Sequence, residues 1–427
     1  MKSKSFFFVV ILLLIFNNNP AQENHSSLNS LINKAIELNP KLKMLEAKKN
    51  SAEKRVSINS NLPDPNLTLG IMSLPTNTFS FTQEAMTAKV IGLSQAVPFP
   101  GKLNKTAEVF NKDVEITKEE LNDSRNEIIN NVKQAYYDLN YIREALKISG
   151  RSKENLERIV SVVRTKYMVS EATQQNLIQA DLELSKISDK IAELKGSERT
   201  NVSILNSYVL QDPETPIETE EISELDSTDL NIENLINTAK QNRPFLKGIQ
   251  LEKNKSLIME NLAEYEYYPN FIFTVQYSQR DRIAETNMPL NDFISFLVGL
   301  NIPINYGGKK SAKIEESQIM QRMYDDEYDN AIQLLIKSFS EGLSKLKELK
   351  ERERLNRDGL LPQAKLLLKS AMANYQVGKT DFINVLDAQN KVYEAETNLY
   401  KIKIQYYKEL AKLEFLCGHS ELQKSNQ

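Results

Sequence analysis

Few side chains in this sequence could carry out chemistry. Nucleophilic catalysis and zinc binding depend on histidine and cysteine, and the chain has one cysteine, Cys417, and two histidines, His25 and His419, near its two ends. The adjacent carboxylates Asp325 and Asp326 lie in a charged helical stretch, which is typical of a solvated face. No glycine-rich phosphate loop is present. The sequence therefore predicts a protein that is not an enzyme and that binds neither a cofactor nor a resident metal ion.

Composition and the N-terminus indicate an exported protein that is water-soluble over most of its length. Charged residues make up 26% of the chain, its formal net charge is −3 and its mean hydropathy is −0.45. The basic residues form no clustered face, which argues against a nucleic-acid partner. Lys2 and Lys4 precede an apolar run at 6–16, and a small residue follows at Ala21, so we expect a signal peptide at 1–21. An uncleaved anchor is the alternative, but the apolar run is short for a bilayer span.

An internal duplication organises the chain. The segment LINKA at 31–35 recurs as LINTA at 235–239, which is 204 positions later, and Gly101-Lys102 recurs as Gly308-Lys309. Anchors that keep their order at a nearly constant offset indicate two copies of one unit. We therefore expect a first repeat at 28–211, an acidic linker at 212–229, a second repeat at 230–418 and a C-terminal tail at 419–427.

Both repeats show one order of predicted elements. A helix at 28–61 precedes two strands, the second at 89–97, with a loop at 73–88 between them, and alternating apolar residues predict matching strands in the second repeat. After Gly101 and Gly308 the apolar spacing changes to steps of four and three, which predicts supercoiled helices. The first of these helices, 102–167, would be about 100 Å long. Helices of this length are suited to spanning a gap.

The strands are too few to close a barrel within one chain. A barrel needs about eight strands, and an open sheet of four exposes two edges. Three chains would supply twelve strands, and the alternating apolar pattern matches outer-membrane barrel strands. The predicted fold class is therefore mainly α with a membrane β-barrel sector. Each chain has two tandem helix-strand-strand-long-helix-hairpin repeats. Three chains are expected to assemble as a homotrimer into a twelve-stranded β-barrel and a coiled-coil tunnel. A small sheet that caps a soluble coiled coil is the alternative.

Two local motifs, together with the duplicated layout, resemble the TolC family of outer-membrane efflux proteins. One is the strand-to-helix passage GLSQAVPFPGK at 92–102, with its counterpart at 299–309; the other is YQVGKT at 375–380, followed by VLDAQ at 385–389. The resemblance covers nearly the whole mature chain. It implies a trimer with a barrel in the outer membrane of a Gram-negative bacterium and a helical tunnel through the periplasm, which meets a periplasmic adaptor and an inner-membrane pump.

Proline and glycine punctuate each passage from strand to helix. Pro98, Pro100 and Gly101 interrupt strand geometry in the first repeat, and Pro303, Gly307 and Gly308 do so in the second. We expect these six residues to form a swivel between barrel and tunnel. An ordinary turn is the alternative at each position taken alone.

The turns between the long helices are expected to form the periplasmic tip. The resemblance implies that the adaptor docks at this tip, where the candidate residues are Val169, Ser170, Val377, Gly378 and Lys379. Glycine suits the left-handed conformation at the end of a helix, and serine suits it less well. A plain helical hairpin turn is the alternative.

The resemblance also implies a pore gate just inside the tip. In a trimer an inward Asp387 would form a ring of three carboxylates that favours cations, and the position of Tyr375 helps to hold the constriction closed. Asn384, Thr380 and Asn176 stand where the family often has charged residues, so hydrogen bonds would replace part of an ionic network. For Asp387 the alternative is a solvated charge.

The sequence thus predicts a passive outer-membrane exit channel of a tripartite efflux system that exports small molecules or metal cations, with a pump of the RND or ABC type. The duct of a type I protein secretion system is a close alternative, and a periplasmic adaptor or structural coiled-coil protein is the alternative from another class. The loop methionines Met72, Met86 and Met288 could contact soft metal ions, but scattered loop methionines usually have no such role.

Overall fold

The computed structural model describes residues 28–222, 225 and 230–418. The predicted signal peptide and C-terminal tail lie outside the described residues. The first repeat contains α1 Leu28–Leu38, α2 Pro40–Ser60, β1 Asn66–Met72, β2 Ala88–Val97, α3 Lys102–Met168 and α4 Gln174–Tyr208. The second contains α5 Ile232–Asn242, α6 Pro244–Glu264, β3 Phe271–Gln279, β4 Phe293–Leu300, α7 Lys309–Leu355, α8 Leu361–Gln376 and α9 Phe382–Cys417. Because the elements follow one order in both repeats, the predicted tandem-repeat fold is confirmed.

The prediction of a single helix at 28–61 is wrong, because the segment divides between α1 and α2. The Asn39 side chain accepts a hydrogen bond from the backbone N–H of Lys41 at 2.9 Å, and Pro40 occupies the first helical position, where no N–H is needed. Pro244 begins α6 in the same way. A proline within a helical run was the available signal for this break.

The second helical hairpin is not as continuous as predicted. Helix α3 is unbroken over 67 residues, whereas a π-helical turn at Asn356–Leu360 separates α7 from α8. Pro362 follows this turn and cannot donate a hydrogen bond to the preceding turn, which favours the irregular geometry. The Asn356 side chain donates to the Arg352 carbonyl at 2.7 Å and accepts from Asn398 on α9 at 3.1 Å. These bonds secure the widened turn.

The four strands form one antiparallel sheet in the order β1-β2-β3-β4, with two unpaired edges. Its two faces differ in composition because side chains alternate along each strand. One face exposes large apolar side chains: Leu67, Leu69, Ile91, Leu93, Phe273, Val275, Phe296 and Val298. The other face carries small or polar residues at Thr68, Gly70, Gly92, Ser94, Thr274, Gln276, Ser295 and Gly299, and it also exposes Ile272, Phe293 and Leu297. The sheet therefore has a mainly apolar face suited to lipid and a more polar opposite face.

The helices form a wall rather than a globular core. Helix α3 is central: near the sheet it lies between α2 and α6, with α7 beyond α6, and farther away it lies between α4 and α9, with α8 beyond α9. The apolar core is divided among these seams, with Val132 and Leu139 in one group and Val163, Ala180 and Val385 in another. The apolar residues that recur in steps of four and three after Gly101 and Gly308 thus pack between helices.

The described part of the acidic linker packs on this wall. Ile217 is buried, and the Tyr136 hydroxyl accepts a hydrogen bond from the backbone N–H of Glu220 at 2.9 Å. The Asn140 side chain donates to the Glu220 carbonyl at 2.5 Å. This segment therefore joins the repeats along a defined path.

Candidate functional site at the helix tips and the strand–helix junction

Both turns between the long helices have the same backbone structure. At the first turn the N–H of Ser170 donates to the Tyr167 carbonyl at 3.0 Å, and the N–H of Glu171 donates to the Lys166 carbonyl at 2.8 Å. The second turn repeats this pair of bonds one repeat later, at Gly378 and Lys379. Ser170 and Gly378 have φ angles of 62° and 72°, in the left-handed region. These are Schellman caps, and they end the helices at matched positions.

The two turns present apolar side chains to solvent. Val169 and Val377 are largely exposed, as are the neighbouring Met168 and Ile383. Exposed apolar groups beside a polar backbone turn are typical of interaction surfaces. Lys379 adds an exposed cation that has no ion pair among the described residues.

Tyr375 is the one predicted gate residue that is buried. Its ring lies 5.4 Å from the ring of Phe382, and the Lys166 ammonium lies 5.7 Å from the ring centre. Burial raises the pKa of Tyr375, and the Lys166 charge and the Asn176 side chain partly offset that rise. Asn176 therefore lies close to the hydroxyl, although the contact falls short of hydrogen-bond geometry. The two repeats meet here, because Lys166 and Asn176 come from the first and Tyr375 from the second.

The other three predicted gate residues, Asn384, Thr380 and Asp387, form local contacts on α9 and the turn before it, where Thr380 is half-buried and the other two are exposed. The Asn384 side chain donates to the Thr380 hydroxyl at 2.9 Å. The Asp387 carboxylate is 58% exposed and accepts a hydrogen bond from Lys391 at 2.5 Å. Within the described chain, Asp387 forms no hydrogen bond or ion pair with Tyr375 or Asn176. The predicted set therefore divides into the buried Tyr375, with the half-buried Asn176 beside it, and a separate group on α9 and the turn before it.

Two lysines beside the predicted gate escaped the sequence prediction. Lys391 lies four positions after Asp387, and this spacing on a helix was a usable signal for an ion pair. Lys166 carried no such signal, because its contact with Tyr375 joins residues more than 200 positions apart.

The first predicted swivel combines a left-handed glycine with an aromatic cluster. Gly101 has a φ angle of 90°, and a Cβ at this position would lie 3.0 Å from the Tyr265 hydroxyl. Phe99 stacks on Tyr268 at 4.5 Å, and its backbone N–H donates to the Asn270 side chain at 3.0 Å. Pro98 and Pro100 flank this anchored residue. The passage is therefore pinned to the second repeat while its backbone changes direction.

The second predicted swivel has a different construction. Gly307 and Gly308 both lie in the left-handed region, with φ angles of 60° and 73°, and the Asn305 side chain accepts from the N–H of Lys310 at 2.9 Å. Pro303 lies just beyond β4 in an exposed segment. Both passages thus place left-handed glycines where a strand gives way to a long helix.

The family model described as outer membrane efflux protein matches residues 31–208 and 235–419. These two matches fall on the two structural repeats. The chain belongs to the outer membrane efflux protein family.

This outer membrane efflux protein is 25% identical to the outer membrane efflux protein BepC of Brucella suis over 282 residues, which are 65% of this chain and 60% of BepC. The matched region thus spans less than two thirds of that relative. This chain is also 21% identical to the probable outer membrane lipoprotein SilC of Salmonella typhimurium over 312 residues, which are 72% of this chain and 67% of SilC. A solved structure of CusC aligns with a TM-score of 0.77 at 18% identity and covers 92% of both chains.

The family and the fold agree with the predicted localisation. This outer membrane efflux protein lies in the outer membrane and extends into the periplasm, and members of its family are trimeric channels that act with adaptors and inner-membrane pumps. No helix in the described part of the chain carries an apolar stretch long enough to cross a bilayer. In that same part, no group of three His, Cys, Asp or Glu side chains is arranged to hold a metal ion.

Proposed function

We propose that this outer membrane efflux protein is the passive exit channel of a tripartite efflux system and carries small molecules or metal cations to the exterior. Its partners are two further copies of the chain, a periplasmic adaptor, an inner-membrane pump of the RND or ABC type and outer-membrane lipid. The two-faced sheet with unpaired edges carries this proposal. A sheet with an exposed apolar face and an opposite face on which small and polar residues predominate suits a wall between lipid and a water-filled lumen.

Trimer formation follows from the edges of the sheet. Strands β1 and β4 have seven and eight residues, and each leaves one edge without a partner in the chain. Backbone groups at such an edge cannot remain unpaired in lipid. Pairing β4 of one chain with β1 of the next removes every edge when three chains close the ring. An adaptor does not account for this exposed sheet or for two equal repeats.

Reconstitution of the purified protein tests the channel. We expect the protein to stay in the outer-membrane pellet after a carbonate wash of the membranes. After extraction in detergent it should be a trimer, and this trimer should form discrete conducting pores in planar bilayers. A stable monomer that produces no conductance would overturn the proposal. A duct for protein secretion would give the same pores, so a transport assay with a co-expressed pump distinguishes the cargo.

The matched helix tips support adaptor docking at Val169, Ser170, Val377, Gly378 and Lys379. In the variant Val377→Asp with Lys379→Glu we expect crosslinking to the adaptor to fall about tenfold, because an apolar anchor and a cation are both lost from the exposed tip. Site-specific crosslinking in cells provides the measurement.

The single variant Lys347→Glu is the control for charge reversal, since Lys347 is an exposed lysine on α7, away from the tips. Trimer assembly should be unchanged in both variants. If the tip variant crosslinks as strongly as the control, docking occurs elsewhere.

A further inference from the structure

A groove lies on the helical wall between α2, α3, α6 and α7, with a volume of about 460 Å³. This volume is in the range of small-molecule sites. Helices α2 and α7 form the lateral edges of the wall, whereas the groove is centred on α3 and α6. Most of its lining therefore comes from the inner helices α3 and α6, with α2 and α7 contributing its sides.

The lining of the groove is strongly acidic. Its carboxylates are Glu119, Glu120, Asp123, Glu127, Glu252 and Glu327, and Lys41 is the lysine among the lining residues. Four of the carboxylates have cationic partners, such as Lys41 with Glu127 at 2.7 Å. Glu119 and Glu327 form no ion pair among the described residues. The groove thus retains uncompensated negative charge.

Apolar surface is exposed among these carboxylates. Met44 and Phe245 line the groove, and each leaves about half or more of its side chain exposed. Gly248 also lines it, and outside the adjoining backbone of α6 no atom lies within 4 Å of the position that a Cβ would take. An exposed phenyl ring between carboxylates can receive the cationic face of an aromatic or alkylated ligand.

A buried hydroxyl in the groove lacks a partner. Ser124 is 7% exposed, lines the groove, and its Oγ makes no hydrogen bond in the described part of the chain. The adjacent Asp123 is not free, because its Oδ1 lies 3.2 Å from the Arg243 guanidinium. Burial raises the pKa of Asp123, and Arg243 offsets part of that rise. The buried Ser124 hydroxyl without a partner at a concave surface is the kind of group that a ligand satisfies.

We infer that this groove binds a lipophilic organic cation. The carboxylates supply charge, Phe245 and Met44 supply apolar contact, and Ser124 supplies a hydrogen-bonding group. A bare metal ion fits less well, because no three acidic side chains in the described chain converge to coordinate one. The inference deepens the proposed function, on which it rests, by naming a class of solute that the wall of the channel retains.

Calorimetric titration of the purified trimer with tetraphenylphosphonium tests the groove, with tetraphenylborate as an anion of the same shape and a detergent-only blank. We expect saturable binding of the cation and none of the anion. The double variant Glu119→Gln with Glu327→Gln should bind the cation about tenfold more weakly, because two unpaired carboxylates are neutralised. Phe245→Ala should weaken binding about fivefold.

The control variant is Glu46→Gln, which removes an exposed carboxylate of α2 that does not line the groove. Thermal unfolding of each variant establishes that it is folded. If cation binding is absent, or is equal in all variants, the groove is not a binding site for organic cations. Bilayer conductance is measured on the same preparations. A conducting trimer that binds no cation would contradict the inferred cation site alone, whereas a protein without conductance would contradict the proposed channel.

Discussion

Replacing Phe296 with arginine should abolish assembly of the barrel, whereas replacing the adjacent Ser295 with arginine should leave assembly intact. Phe296 lies near the middle of β4 opposite Val275, on the apolar face, and is 79% exposed in the single chain. Ser295 lies opposite Gln276 on the polar face. An arginine on the lipid face near the midplane of a barrel costs about 2–4 kcal/mol per chain, and the trimer incurs this cost three times.

The yield of trimer extracted from outer membranes measures this difference. Ser295→Arg is the matched control, because it introduces the same side chain one position away in the same strand. Its arginine would face the lumen, so it should also shift the ion preference of the pore towards anions. Equal yields of the two variants would show that the faces of the sheet are wrongly assigned.

This pair of residues also shows how far sequence reasoning reaches. The alternation of large and small residues in β3 and β4 is a local property with a period of two, so the sequence was sufficient to predict the strands. The register between β2 and β3 joins the two repeats, and the duplicated layout suggested it only indirectly. Helix tips were also predictable, since Gly378 marks a left-handed position and Ser170 aligns with it in the other repeat.

Features that depend on contacts between distant segments could not be predicted. The approach of Lys166 to Tyr375 is fixed by the packing of two hairpins, and the groove around Ser124 needs four helices in one layer. The π-helical turn before Pro362 was partly predictable. The proline indicated an irregularity in the helix, but the hydrogen bond from Asn398 to Asn356 that secures the turn is a tertiary contact. Local signals thus gave the elements, and the tertiary contacts that form the sites required coordinates.

The ion pair of Asp387 and Lys391 makes the predicted pore gate more specific than a ring of carboxylates alone. If Asp387 faces the pore, each chain would contribute one carboxylate and one ammonium held at 2.5 Å, and their charges would nearly cancel. Both side chains are more than half exposed, so the pair itself is weak and either partner can turn away. The charge of the constriction would therefore depend on which partner is present.

Removing Lys391 and removing Asp387 should shift the ion selectivity of the pore in opposite directions. Lys391→Ala leaves three unpaired carboxylates in the proposed trimer, so we expect the cation-to-anion permeability ratio in planar bilayers to rise about tenfold. Asp387→Ala leaves three unpaired ammonium groups and a wider passage, so this ratio should fall while the single-channel conductance rises. Lys337→Ala and Glu341→Ala are the matched controls, because this exposed pair on α7 has the same spacing and lies far along the chain from the tips. If the variants at 387 and 391 leave selectivity and conductance at the values of these controls, Asp387 does not line the constriction, and a gate at this level would rest on Tyr375 and its neighbours instead.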